Sequence, residues 1–116
     1  MLQFQGEVII DISTESLKIN PNNEQDILRI RAQAYIKIGK YDEALVDLNR
    51  LINFNNENEE ILSIRAQAYT AISKFNKALD DLNRLLEINS KNIRALECFS
   101  LINTTILMNE EISFFK

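Results

Sequence analysis

Ile30-Arg31-Ala32-Gln33-Ala34-Tyr35 returns as Ile64-Arg65-Ala66-Gln67-Ala68-Tyr69, 34 residues further along the chain. Laid over residues 58–91, residues 24–57 match at 18 of 34 positions. The matches run past the first block: Ala44-Leu45 becomes Ala78-Leu79, Asp47-Leu48-Asn49-Arg50-Leu51 becomes Asp81-Leu82-Asn83-Arg84-Leu85, and Asn55 becomes Asn89. A fixed period of this size marks stacked supersecondary units, each too small to bury its apolar face alone, and it outranks local propensity. The period divides one domain over 1–116 into four parts. Residues 1–23 form a partial unit with a second helix only, 24–57 and 58–91 are full repeats, and 92–116 is a partial, degenerate third.

Composition narrows the choices. Of 116 residues 46% are apolar, while two glycines and one proline are very few, which favours helices joined by short polar turns. Thirteen Lys and Arg against 17 Asp and Glu leave a net charge of −4, with no basic run longer than two residues. Nucleic acid needs several phosphate-neutralising cations on one face, so no nucleic-acid partner is expected. The absence of a long apolar run and of a signal-peptide pattern predicts no membrane partner and a cytoplasmic location. The lone Cys98 excludes an internal disulfide and a multi-cysteine metal site.

In chain order, residues 7–19 are the second helix of an incomplete unit, because Leu17-Lys18-Ile19-Asn20-Pro21 parallels Leu86-Glu87-Ile88-Asn89-Ser90 at the end of a repeat. Pro21 stops that helix. Gln25 to Ile38 and Tyr41 to Phe54 read as the helices of the first full repeat, with Gly39 at the break. Glu59 to Ile72 and Phe75 to Ile88 repeat the pair, with Ser73 replacing Gly39 at a small cost. From Ile93 a third first-helix runs to about Leu107, followed by a short remnant with Ile112, Phe114 and Phe115. The many asparagines read as compositional bias.

The order Leu28, Ala32, Tyr35, Gly39, Tyr41, Ala44, Leu48, Leu51 resembles a tetratricopeptide repeat. The second copy supplies Leu62, Ala66, Tyr69, Ser73, Phe75, Ala78, Leu82 and Leu85. Both lack the closing proline, having Asn56 and Ser90 there, whereas Pro21 fits as its counterpart in the first partial unit. The resemblance implies an all-α, right-handed α-solenoid of antiparallel helix pairs. Pentatricopeptide arrays are the nearest rival, but they bind RNA, which the acidic balance disfavours.

No enzyme assembles from these residues. Histidine is absent, which removes the commonest general base and metal ligand. The pairs Glu59-Glu60, Asp80-Asp81 and Glu110-Glu111 are sequence neighbours and point about 100° apart on a helix. No metal and no cofactor are expected. The recurring Asp47-Asn49-Arg50 and Asp81-Asn83-Arg84 read as i, i+3 pairing, and Arg31 and Arg65 as structural cations reaching a nearby carboxylate.

Binding remains. The resemblance implies a concave groove lined by the first helices and taking a protein or peptide partner. Carried over by position, it holds Asp26, Arg29, Ile30, Gln33, Ile36 and Lys37, then Glu60, Ile64, Gln67, Thr70 and Ala71, then Arg94, Cys98 and Leu101. Chaperone-binding members clamp a terminal carboxylate with two Lys, two Asn and an Arg. Those positions here carry Arg29, Gln33, Ile64, Arg94 and Cys98, so chaperone-tail binding is not expected. Cys98 is expected to be partly buried and unreactive. The apolar ends predict that the chain either continues or self-associates, as a homodimer or end to end, through Phe99, Ile106, Phe114 and Phe115. A structural, self-associating spacer is the alternative to a peptide-binding module.

Overall fold

The protein is described by a computed structural model that covers the backbone of residues 2–19 and 21–115 and the side chains of residues 4–19 and 22–109. Six helices follow one another: α1 (Leu2–Ile19), α2 (Glu24–Lys37), α3 (Tyr41–Phe54), α4 (Glu59–Ala71), α5 (Phe75–Ile88) and α6 (Ile93–Phe115), with a 3-10 turn at Pro21–Asn23. There is no strand among the described residues. The molecule measures 55 × 32 × 20 Å with a radius of gyration of 16.1 Å, where a compact domain of this length has about 13 Å. Successive helices pack side by side along that length, so the fold is an all-α solenoid.

Why the helices stack is written in their small residues. Ala32, Ala44, Ala68 and Ala78 are 0% exposed and belong to the core between the helices. Leu48, Leu62, Leu82 and Leu85 fill the layers between them, each hydrophobic burial contributing about 2 kcal/mol.

Each full repeat breaks its hairpin at a residue in the left-handed region. Gly39 has φ +80° and Ser73 φ +61°. The same bond closes both breaks, Lys40 N–H to Tyr35 O and Lys74 N–H to Tyr69 O, each 2.8 Å. The third repeat has Leu107 at the equivalent position, and α6 runs on unbroken to Phe115. No separate terminal remnant forms, because a γ-branched side chain makes the left-handed turn costly. The opening helix is also longer than expected. It starts at Leu2, and buried Gly6 lets it approach α2, where an added Cβ would stand 2.5 Å from Ile38 Cγ2.

The turns between repeats rely on asparagine, so these residues have structural work beyond compositional bias. Asn58 Oδ1 and Asn92 Oδ1 accept from Ile61 and Ala95 N–H at 3.1 Å and cap α4 and α6. Asn55 and Asn89 accept from the amides two residues on, Glu57 and Lys91.

Two buried ion pairs tie the layers together. Arg31 grips Asp47 through Nε and Nη2 at 2.8 and 2.7 Å and donates to Thr14 of α1 at 3.1 Å. Arg65 grips Asp81 at 2.8 and 2.6 Å and donates to Asn49 of α3 at 3.0 Å. Each arginine thus joins its own repeat's second helix to that of the preceding unit. Hydrogen bonding to Asp47 and Asp81 raises both guanidinium pKa values above their ordinary range, although burial opposes it. A cation with a raised folded pKa contributes stability that is fully present below its unfolded value, so both guanidiniums keep their contribution throughout the neutral range. The i, i+3 pairing expected for Asp47 with Arg50 does not occur: Asp47 turns inward to Arg31, and Arg50 Nε donates to Glu24 of α2.

Candidate functional site

The first helices of the repeats, α2, α4 and α6, supply a polar strip. Its α2–α4 section is closed by side chains. Arg29 Nη1 donates to Glu60 Oε2 at 3.3 Å, Gln33 Nε2 donates to Glu60 Oε1 at 3.4 Å, and Arg29 Nη2 donates to Asp26 Oδ1 at 3.4 Å. Its α4–α6 section is open. Ser63 and Gln67 of α4 face Arg94, Ala95, Glu97 and Cys98 of α6 across a trough of about 280 Å³ floored by Leu82 of α5. Arg94 is exposed and has no ion pair among the described residues. A smaller cavity of about 140 Å³ lies between α1 and α2, among Gln5, Gly6, Ile9, Ile30, Gln33, Ala34 and Lys37.

Solved structures share this fold. The first tetratricopeptide repeat domain of Spaghetti (RPAP3) bound to the HSP90 peptide SRMEEVD aligns with a TM-score of 0.76 and 25% identity, over 91% of this chain and 90% of that one. The solution structure of the first such domain of human RPAP3 gives 0.76 and 25% over 95% and 93%. The second domain of human RPAP3, in complex with the HSP70 peptide SGPTIEEVD, gives 0.71 and 29% over 81% and 78%. The chain is similar to tetratricopeptide repeat domains and shares their fold. No protein-family model matches it, nor does any curated protein.

Within this solenoid the structure brings Arg29, Gln33 and Glu60 together across α2 and α4, and Gln67, Arg94 and Cys98 together across α4 and α6. Lys37 stands apart at the end of α2, beside α1. The two isoleucines part ways: Ile30 is 48% exposed, while Ile64 packs against the core. Thr70 is half-buried, and its hydroxyl donates to Ala66 O at 2.7 Å. Leu101 is 65% exposed, on an open face of α6 shared with Leu96, Ser100 and Thr104. Cys98 is exposed rather than partly buried, on the open wall of the α4–α6 trough.

Of the residues expected to mediate self-association, Phe99 and Ile106 are half-buried against the core, and the side chains of Phe114 and Phe115 lie outside the described residues. Sequence reading missed the Glu60 bridge, although Glu60 was already placed on the groove. Its contacts lie 27 and 31 residues away, beyond any local pattern. Among the described residues no helix is long and apolar enough to cross a membrane, and no group of His, Cys, Asp and Glu could hold a metal ion.

Proposed function

We propose that this domain is a non-catalytic protein-interaction module of the cytoplasm, a scaffold element that takes an extended peptide or helix in the groove formed by α2, α4 and α6. The observation that carries the reading is the open trough between α4 and α6. It offers Arg94, which has no ion pair among the described residues, and the acid Glu97 beside uncharged Ser63, Gln67 and Cys98 over the apolar floor of Leu82. Such a mix of two opposite charges, neutral hydrogen-bonding groups and apolar surface suits peptide recognition. That two of the similar domains are titled as bound to HSP90 and HSP70 peptides supports a peptide-binding role. A photocrosslinker at Gln67 on the groove, compared with one at exposed Val46 of α3, tests the assignment. Capture of a partner from Gln67 that Arg94→Glu abolishes is the expected result. Capture from Val46 alone would place the binding surface elsewhere.

Self-association is the second reading. Leu101, Leu107 and Met108 of α6 are 65%, 58% and 56% exposed, and Phe4 and Ile12 of α1 are 71% and 60% exposed. Apolar surface of this kind favours contact with another molecule. Light scattering on the wild type and a Leu107→Asp variant checks it: a dimer that dissociates on substitution supports it, and a monomer in both refutes it.

A further inference from the structure

We propose that Glu60 sets the ligand choice of the groove. It is a built-in carboxylate that engages Arg29 and Gln33 and turns the α2–α4 section away from acidic peptides. The α4–α6 section, with Arg94, is left to receive a largely uncharged segment. This inference rests on the reading of the groove as a peptide site and names the chemistry that the site selects.

Arg29 gives Nη1 to Glu60 and Nη2 to Asp26, and Gln33 gives its amide to the other oxygen of Glu60. Two carboxylates therefore face one guanidinium, and the local balance is negative. A ligand carboxylate arriving here finds its hydrogen-bond donors already engaged by an acid of the same chemistry. It would have to displace Glu60 and then stand beside both Glu60 and Asp26, where like charges disfavour it.

The repeat shows how local this arrangement is. Asp26, Glu60 and Arg94 occupy one repeat position, and Arg29, Ser63 and Glu97 another. Along the first position the charge changes sign between α4 and α6. Arg29 is matched by an acid on the neighbouring helix, while Arg94 has no ion pair among the described residues. Arg94 shares its trough with Glu97, so the α4–α6 section has no net positive charge to offer a run of carboxylates.

The bridge is not needed to hold α2 against α4. Arg29 and Glu60 are 42% and 49% exposed at the side chain, and an exposed pair contributes little to folding. Leu28 and Leu62, 3% and 1% exposed, carry the packing of those helices. Glu60 can therefore be changed in a folded domain, with helicity by circular dichroism as the check.

Fluorescence anisotropy on the whole chain tests the proposal with two labelled heptapeptides. One has glutamates among small apolar residues and a free terminal carboxylate; its counterpart has glutamine for glutamate and a terminal amide. Wild type is expected to bind the acidic peptide no tighter than the uncharged one. Glu60→Gln should shift the acidic-to-uncharged affinity ratio by about fivefold toward the acidic peptide, the scale of one exposed charge pair. Adding Arg29→Gln should remove that gain, and salt should erode it. A severalfold acidic preference in the wild type, an unchanged ratio in Glu60→Gln, or a gain that survives Arg29→Gln would each overturn the role of Glu60. Failure of the groove reading looks different: uncharged-peptide binding in the wild type would then be indifferent to Arg94→Ala and Gln67→Ala.

Discussion

Asp47 and Asp81 are 2% and 3% exposed, and each is held by two nitrogens of one arginine. Desolvating both partners offsets much of their attraction, but removing one leaves an uncompensated buried charge. Arg65→Leu is therefore expected to lower stability by about 3 kcal/mol in urea melts. Arg65→Leu with Asp81→Leu should recover most of that loss; a double variant as unstable as the single one would show that the pair itself is required. Ser73 gives the second test at this scale. It holds φ +61° where the first repeat has Gly39, so Ser73→Gly should stabilise the domain by up to about 1 kcal/mol, read as a raised melting temperature. Both arginines were recognisable in the sequence by their repetition. Their partners were not, because a contact 16 residues away crosses between helices while i, i+3 spacing suggests a neighbour on the same one.

The helix boundaries were far more readable than the side-chain contacts. Gly39 and its counterpart Ser73 announced the two hairpins, and α3 and α5 fall where the repeat placed them. The third unit misled because its match to the pattern is in the packing residues, while the residue that would break the helix has changed. Ala95 and Ile102 are buried at 2% and 1%, but Leu107 continues the helix. If the side chain at this position decides the matter, Leu107→Gly should weaken α6 beyond it. The expected readout is a fall in helicity, with a local cost of about 1 kcal/mol. Unchanged helicity would assign the continuity of α6 to other residues. The burial of Cys98 was misjudged for a related reason: a groove position can be read by register, but its cover depends on a neighbouring helix that register alone does not supply.

For the whole molecule, stability is distributed by nearest neighbours. A solenoid has no single centre; each layer is held by the layers on either side of it. Here α4 and α5 lie between α3 and α6, and their residues Leu62, Ala66, Ala68, Ala78, Leu82 and Leu85 are at most 2% exposed. In contrast, α6 packs on α5 along one face and leaves Leu96, Leu101 and Leu107 at 45%, 65% and 58% exposure. Local opening should therefore be easier in α6 than in the middle repeat. Amide hydrogen exchange by NMR is expected to show the slowest amides around Ala66, Ala68 and Leu82 and faster exchange across α6. Ile102→Ala sharpens the comparison, since Ile102 is 1% exposed and anchors α6. Truncating it costs about 2–5 kcal/mol as a core deletion. In a nearest-neighbour array that loss should speed exchange in α6 first and leave α2 and α3 little changed. Equal acceleration in all six helices would instead mean that the domain opens as one cooperative unit.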